Sequence, residues 1–524
     1  MLCARVVPWV NLAPRMLLFK ARSRPSPLRV PRTDPASRAG ARPRDAFGRF
    51  ELALGLWALA WLAWLALTSE SPPVDNAEQL SWVRSVEWGY YKHPPLPTAL
   101  LWPLVQLFGL HEWVSYAAAA LLTLSAIMLG RCLTVELIGR QCANLATLGT
   151  LCIGYYSHRL AYFNHDSVLL LCGVAAAWFC WRAFADRSMS AWVGLGIALG
   201  LGALAKYQVA VAAGSVLAYW ALRQGWRDEL HRRGLGRAAA IALLIFSPHA
   251  IWFVTHDFLP LQYAWSHSHG AQLSLAQCSV GVLRWIGDQL SQLAGALVLG
   301  GGLLLLARRR RRAGHAMWMP FRPGAQALPF LLCFGLLPLG AMPCIALVMG
   351  ASLHRNWGSA YMPFTCAALM LCAGRRLWPQ VTWRDALCGF AAVQLVLAAL
   401  LLAPPDAKGP TLNQHRSHRF SSQWVADEIG PPARRLLGSD IRVIAGRQRL
   451  ASVLALRLAE RPLVLIDGRY ELSPWMPQDM SRVCGILWVG GRDETPPNDA
   501  ERNDIGEGLW WAVQLLSDEP ASCR

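Results

Sequence analysis

Three observations predict a polytopic α-helical membrane protein with a small C-terminal α/β domain. The chain has 524 residues, 54% of them hydrophobic and only 16% charged, where a soluble globular domain carries roughly 25% charged residues. Apolar runs near the roughly 20 residues that span a bilayer recur along the chain. Arginines collect in alternate loops between those runs. The mean hydropathy of +0.29 agrees, as do the 25 tryptophans, since Trp is favoured where hydrocarbon meets headgroup.

Residues 1–49 are rich in Arg, Pro, Ala and Ser without apolar periodicity, which predicts a disordered cytoplasmic leader. No signal-peptide pattern precedes the first span, and a downstream start such as Met16 is compatible with the sequence. Spans are predicted near 50–67, 112–130, 143–160, 165–183, 190–207, 209–222, 238–255, 286–307, 327–351, 358–374 and 386–404, about eleven in all. The apolar segment 96–110 is short and punctuated by prolines, so it reads as interfacial or re-entrant. The transmembrane domain thus covers 50–404, with a first outer loop at 68–111.

The leader, Arg131–Arg140, Arg182–Arg187, Arg223–Arg237, Arg308–Arg312 and Arg375–Arg384 all fall on one side of this topology. The positive-inside rule makes that side cytoplasmic. The loops 68–111, 158–165, 206–209, 256–285 and 352–357 then lie outside, with the tail 405–524. The tail alternates strand-like runs at Ile441–Ala445, Leu463–Ile466 and Gly485–Val489 with a helical pattern at Arg449–Leu458, which predicts an α/β domain. No repeat of fixed period is evident.

The net charge of +18 is explained by loop arginines that set topology, and a nucleic-acid partner is not indicated. The 14 cysteines form no CxxC pair and no zinc spacing; most lie in apolar runs, where Cys acts as a small hydrophobe. Cys484 and Cys523 lie in the tail, where an oxidising compartment would permit a disulfide.

The chemistry-bearing residues gather in the outer loops. Asp75 and Glu78 follow Pro72-Pro73 three residues apart, on one face of a helix. That spacing suits a helix cap as well as a general base with a fixed orientation. Tyr90-Tyr91-Lys92-His93-Pro94-Pro95 sets a cation and two phenols on a proline-stiffened backbone; a plain aromatic belt with a snorkelling lysine has the same composition. Lys206-Tyr207, His158-Arg159 and His165-Asp166 read singly as snorkelling side chains. Together they fall at one membrane face, and ionisable residues in spans usually face a cavity or pathway. A carrier would place them near the midplane, so their position at helix ends favours an enzyme over a lipid-linked sugar flippase or a scaffold. Of the histidine-rich loop 247–269, His267 and His269 have metal-ligand chemistry but no carboxylate or Cys partner at matching spacing. No cofactor is called for, and a divalent cation is left open. Arg355, in His354-Arg355-Asn356-Trp357, has a guanidinium fork that matches phosphate oxygens.

The motifs Asp75-Asn76-Ala77-Glu78-Gln79-Leu80, Gly89-Tyr90-Tyr91-Lys92-His93-Pro94-Pro95-Leu96, Asn164-His165-Asp166-Ser167, Leu204-Ala205-Lys206-Tyr207, Ser247-Pro248 through His256-Asp257 and Asn356-Trp357 resemble, in order, the bacterial protein O-mannosyltransferase-like superfamily. These are GT-C glycosyltransferases related to the lipid A aminoarabinose transferase. The resemblance covers about residues 50–375, with a similar α/β tail. It implies a membrane glycosyltransferase of the bacterial inner membrane, with the N-terminus cytoplasmic and the tail periplasmic. The donor would be a polyprenyl-phosphate sugar, and the acceptor a glycolipid such as lipid A or core, another glycan, or a protein. Asp75 matches the family's catalytic Asp, while Asn76 stands where the family usually carries Glu. Lys92 matches a lysine expected near the lipid phosphate. The expected site is Asp75 and Glu78 for catalysis, with Lys92, His93, Tyr90, Tyr91, Arg159, Asp166, Lys206, Tyr207 and Arg355 around the donor and its phosphate.

Overall fold

The computed structural model describes residues 49–266, 273–314, 323–373, 378–402, 417–477, 479–480, 483–506 and 508–516. It has two compact units, residues 1–55 and 56–524. Of the first, only the opening turns of the first helix are described; the second holds the rest of that helix and every other element.

The helices in chain order are α1 (Arg49–Thr68), α2 (Val74–Trp82), α3 (Leu96–Phe108), α4 (Glu112–Ile138), α5 (Arg140–Leu151), α6 (Gly154–His158), α7 (His165–Ala185), α8 (Met189–Ala205), α9 (Val209–Leu222), α10 (Glu229–Thr255), α11 (Leu259–Ala264), α12 (Leu275–Arg312), α13 (Ala327–Gly335), α14 (Leu337–Met349), α15 (Thr365–Ala373) and α16 (Trp383–Leu400). Seven of the described segments are long and apolar enough to cross a membrane: α1, α4, α7, α10, α12, α13 continued by α14, and α16. The chain is a multi-pass membrane protein. Helices α8 and α9 are apolar but shorter. The span expected over 143–160 is two pieces, α5 and α6, and that over 358–374 opens with a 3₁₀ turn, Arg355–Tyr361, before α15. The apolar segment after Pro95 forms α3, with Pro97 in its first turn and an end at Gly109.

One expected loop residue is placed differently. Arg131 lies inside α4, buried, where its Nε donates to Oδ1 of Asn144 at 2.7 Å. The helix runs on past the predicted span end to Ile138 and stops at Gly139, whose φ is positive. Packing between spans uses small residues. A Cβ on Gly196 of α8 would lie 2.6 Å from the carbonyl oxygen of Ala238 in α10, and one on Gly200 would lie 2.9 Å from Ile245. This Gly-x-x-x-Gly face lets the two backbones meet, as van der Waals packing in lipid requires.

The C-terminal region comprises α17 (Ser422–Leu437), β1 (Val443–Gly446), α18 (Gln448–Arg457), β2 (Leu463–Ile466), β3 (Gly485–Gly491), β4 (Asn503–Gly506) and β5 (Leu509–Leu515). The strands form one sheet in the order β2-β1-β3-β5-β4. Strand β1 runs parallel to both β2 and β3, with Ile444 opposite Val464 and Leu487. Strand β5 returns antiparallel to β3, Trp488 facing Ala512, and β4 closes the edge. The three strands and the helix expected from the sequence are present. The added β5 carries Trp510, Trp511 and Ala512, all buried. Buried residues of this sheet and of α17 and α18 form one core that also takes in Ala77, Trp82 and Tyr90 of the first loop. Cys523 lies outside the described residues, as do His267 and His269.

Candidate functional site

Helix α2 organises the site. Pro73 occupies its N-cap in an extended conformation, and no side chain caps it. Asp75 therefore is not a cap. With a 3.6-residue period, Asp75, Glu78 and Trp82 share one face, and Asn76 points elsewhere. Oδ2 of Asp75 accepts from Nδ2 of Asn164 at 2.9 Å. Asn164 is itself the N-cap of α7: its Oδ1 accepts from the backbone N–H of Asp166 and Ser167, and Ser167 Oγ accepts from its own N–H. That box fixes the amide, and the amide fixes the carboxylate. Burial pushes the Asp75 carboxyl up, but the Asn164 hydrogen bond and the charges of Arg159, Lys92 and Arg449 outweigh it and hold the group below the usual aspartate range.

Glu78 forms a direct ion pair with Lys92, their side chains 7% and 15% exposed. The Lys92 ammonium lies 5.8 Å from the ring centre of Trp82, 5.7 Å from Tyr91 and 5.9 Å from Tyr263, distances at which a ring face attracts a cation. Burial alone would push Lys92 down; Glu78 beside it reverses the sign and keeps it protonated. The backbone around it is a closed turn, in which Tyr90 N donates to His93 O at 3.0 Å and His93 N to Tyr90 O at 3.2 Å. The Tyr90 ring stacks on Trp82 at 4.4 Å, and its hydroxyl donates to Ser85 O. Tyr91 donates from its hydroxyl to Oε1 of Gln448 in α18 at 2.5 Å. The His93 ring lies 3.9 Å from that of His165; burial, then His165, Lys92 and Lys206, hold His93 well below the usual histidine range, hence neutral.

A second lysine–carboxylate pair closes the other side. Nζ of Lys206, at the end of α8, lies 2.8 Å from Oδ1 of Asp166 and 5.9 Å from the ring centre of Trp357. The next residue, Tyr207, bonds His249 Nε2 at 2.9 Å, while His249 Nδ1 lies 2.6 Å from the carbonyl oxygen of Trp88. A carbonyl only accepts, so Nδ1 carries the proton and the Tyr207 hydroxyl donates to Nε2. The chain follows α10 closely here: a Cβ on Gly89 would come within 2.2 Å of the Trp252 ring, so only glycine fits.

Of the residues expected from the sequence, Asp75, Glu78, Lys92, His93, Tyr90, Tyr91, Asp166 and Lys206 come together around α2 and the start of α7, while Tyr207 is turned to His249 and Phe253 of α10. Arg159 stacks on Tyr162 at 4.4 Å, with its charge reaching Asp75. Arg355 is turned to α12 instead, its Nε 3.7 Å from Oδ1 of Asp288 and its carbonyl accepting from Gln289. Asn164, His165, Trp82 and Gln448 join the cluster although sequence reasoning did not select them as site residues. Trp82 was legible as the third member of the Asp75–Glu78 face; Gln448 was not, because nothing local ties the tail to the first loop. Among the described residues no group of three His, Cys, Asp or Glu side chains is placed to hold a metal ion.

Asn76 is explained by its surroundings. Fully buried, it donates from Nδ2 to Ser115 Oγ and Ala161 O, both at 2.8 Å, and accepts at Oδ1 from Phe163 N at 3.0 Å. It ties α2 to α4 and to the turn before α7, on the side away from Lys92.

Residues 92–252 match the family model described as dolichyl-phosphate-mannose-protein mannosyltransferase. The chain is 27% identical over 187 residues to the lipopolysaccharide core galacturonosyltransferase RgtB of Rhizobium johnstonii, an alignment covering 35% of this chain and 38% of that protein's length. In fold it is similar to ArnT from Cupriavidus metallidurans bound to undecaprenyl phosphate, with a TM-score of 0.59 at 16% identity over 90% of this chain and 99% of that one. The apo state of the same protein gives a TM-score of 0.55 at 15% identity, over 88% and 98%.

Proposed function

We propose, for a GT-C-type chain related in fold to ArnT, that it moves a sugar from a polyprenyl-phosphate donor to an acceptor at the periplasmic face of the bacterial inner membrane. The acceptor is a glycolipid such as lipid A or core, another glycan, or a protein. What its relatives are named for supports this: one is a lipopolysaccharide core galacturonosyltransferase and another is seen bound to undecaprenyl phosphate. The loop arginines support an orientation with the leader cytoplasmic and the first loop and the tail outside.

The observation that carries the reading is Asp75, half-buried, oriented by Asn164 and set on one helix face with the Glu78–Lys92 pair. An acceptor hydroxyl attacks the anomeric carbon, and the bond from that carbon to the phosphate oxygen breaks. Asn164 holds Oδ2 of Asp75, which leaves Oδ1 to take the hydroxyl proton. The leaving group is a lipid monophosphate. Lys92, with the charge of Arg159 adding to it, stabilises the charge growing on that phosphate, which is usually the largest electrostatic contribution. One displacement inverts the anomeric centre, so no second carboxylate nucleophile is needed and Glu78 is free to serve as the counter-ion of Lys92.

A depressed carboxyl is a weak base, and the donor corrects this. Its phosphate partly neutralises Lys92 and Arg159, the charges that hold Asp75 down, so the base strengthens when donor is bound. The test is transfer from radiolabelled undecaprenyl-phosphate sugars to envelope glycolipid and protein fractions, using the purified full chain in detergent, where no sealed compartment exists. Transfer by the wild type is expected to fall by about 10²–10⁴ in Asp75→Asn; full activity in a normally folded Asp75→Asn would overturn the assignment.

A further inference from the structure

The tail reaches the site with a side chain that has an unmet bond. Strand β1 ends at Gly446, and Gln448 opens α18 two residues later. This is the carboxyl end of the parallel strands, with β2 on one side of β1 and β3 on the other. Open α/β sheets bind ligands in the crevice where strand order reverses in this way. Helix α18 packs on α2, and the carboxyl end of β1 comes to Tyr91. Gln448 is 6% exposed. Its Oε1 accepts from the Tyr91 hydroxyl, and its Nε2 has no hydrogen-bond partner. Exchanging the amide's two ends would not help, since the Tyr91 hydroxyl serves only one of them. A buried amide hydrogen without an acceptor costs about 1–3 kcal/mol, so a site retaining one is built for an occupant that supplies an oxygen.

Two other orphaned polar atoms border the same aromatic group. Trp82, fully buried, has an unpartnered Nε1, and its ring centre lies 6.1 Å from that of Tyr91. His165, 5% exposed, has an unpartnered Nε2 and a ring centre 5.9 Å from that of Trp82. Unmet hydrogen-bonding atoms among aromatic faces suit a sugar, which presents hydroxyl oxygens at its edge and C–H groups on its face. Lys92 sits among them as the cation for the adjoining phosphate.

We propose that Gln448 of the C-terminal domain is a specificity-determining contact for the donor sugar, its Nε2 donating to a sugar hydroxyl while Tyr91 holds its Oε1. The tail is then part of the donor site and not a cover over it. This rests on the polyprenyl-phosphate donor proposed above, and the test separates the two. The purified full chain in detergent is titrated calorimetrically with bare undecaprenyl phosphate and with the same lipid carrying glucose, galacturonic acid or an aminopentose. The wild type is expected to bind at least one sugar-bearing lipid more tightly than the bare one. Gln448→Leu is expected to lose about tenfold on that lipid, the worth of one hydrogen bond, with bare-lipid binding unchanged. Tyr91→Phe, which removes the hydroxyl that aims the amide, should show the same selective loss to a smaller extent, and it keeps the test alive if Gln448→Leu fails to fold. Lys92→Met should weaken bare and sugar-bearing lipid alike. Equal losses on both lipids in Gln448→Leu, no loss on either, or a wild type without a margin for any sugar would overturn the role of Gln448 while sparing the donor lipid. A wild type that binds none of the lipids would overturn the donor itself.

Discussion

Two largely buried lysine–carboxylate pairs lie near Asn164, and they differ in their relation to the proposed base. Lys92–Glu78 has side chains 15% and 7% exposed, and Lys206–Asp166 has 11% and 9%. Burial therefore does not distinguish them. Lys92 stands among three aromatic rings, and its charge depresses Asp75. Lys206 faces one ring, that of Trp357, and its charge is not among the largest acting on Asp75. Its partner Asp166 accepts the lysine in the first turn of α7, where Asn164 caps the helix. One pair is coupled to the proposed base, and the other braces the helix end that holds it.

The largest expected effect is at the base. Asp75→Asn keeps the shape and a partner for Asn164 but removes the proton acceptor, so transfer should fall by about 10²–10⁴. Single-turnover assays with saturating donor would show whether the loss is in chemistry. The two lysines come next and test the comparison directly. Removing either partner of a buried pair costs about 3–5 kcal/mol, so Lys92→Met and Lys206→Met should lower thermal stability alike. Their activities should separate: about 10²–10³ lost for Lys92→Met, as for loss of one preorganised contact to a developing charge, and less than about tenfold for Lys206→Met. Equal activity losses would end the distinction between the pairs.

The pH profile sharpens the same contrast. Asp75 is held below the usual aspartate range, so its base form is present throughout neutral and mildly acidic pH and is lost only as pH falls through that depressed value. With donor limiting, where the profile reports the free enzyme, kcat/KM should hold until the pH falls into or below the ordinary aspartate range. Without Lys92 one of the depressing charges is gone, burial gains weight, and the acid limb should move to higher pH. Lys206→Met should leave the limb in place. A limb that moves equally in both variants would mean that the field at Asp75 is not set by its immediate neighbours.

How much of this was legible in the sequence depends on how local each signal was. The bilayer forces apolar runs to be helices, so α4, α7, α10, α12 and α16 were visible as runs of the right length. The break between α5 and α6 was not, because Leu151-Cys152-Ile153 is as apolar as the runs on either side of it. Asp75, Glu78 and Lys92 were legible because charge is scarce in such a chain. Asn164 belongs to a recognisable motif, yet its bond to Asp75 joins residues 89 positions apart and has no sequence signature. The contact of Tyr91 with Gln448, 357 positions apart, is the extreme case. Arg355 was chosen for its chemistry alone, and the fold turns it to Asp288.

The smallest expected effect on chemistry, with a clear effect on stability, is at Asn76. The resemblance to relatives made this residue the weak point of the motif, since an acid usually stands there. Its three hydrogen bonds to Ser115, Ala161 and Phe163 show a neutral amide used as a two-way connector, donating to a carbonyl and accepting from an N–H. A carboxylate at the same place has no hydrogen for Ala161 O and would bring a second negative charge beside Asp75. Asn76→Ala should leave two buried backbone groups unmatched, at about 1–3 kcal/mol each, and lower the melting temperature while the rate per folded molecule stays within about twofold. Asn76→Asp should destabilise further and also raise the acid limb, because a like charge next to Asp75 favours its neutral form. If Asn76→Ala instead cut the rate per folded molecule as deeply as Asp75→Asn, the amide would belong to the reacting group, and the division of α2 into a chemical face and a structural face would fail.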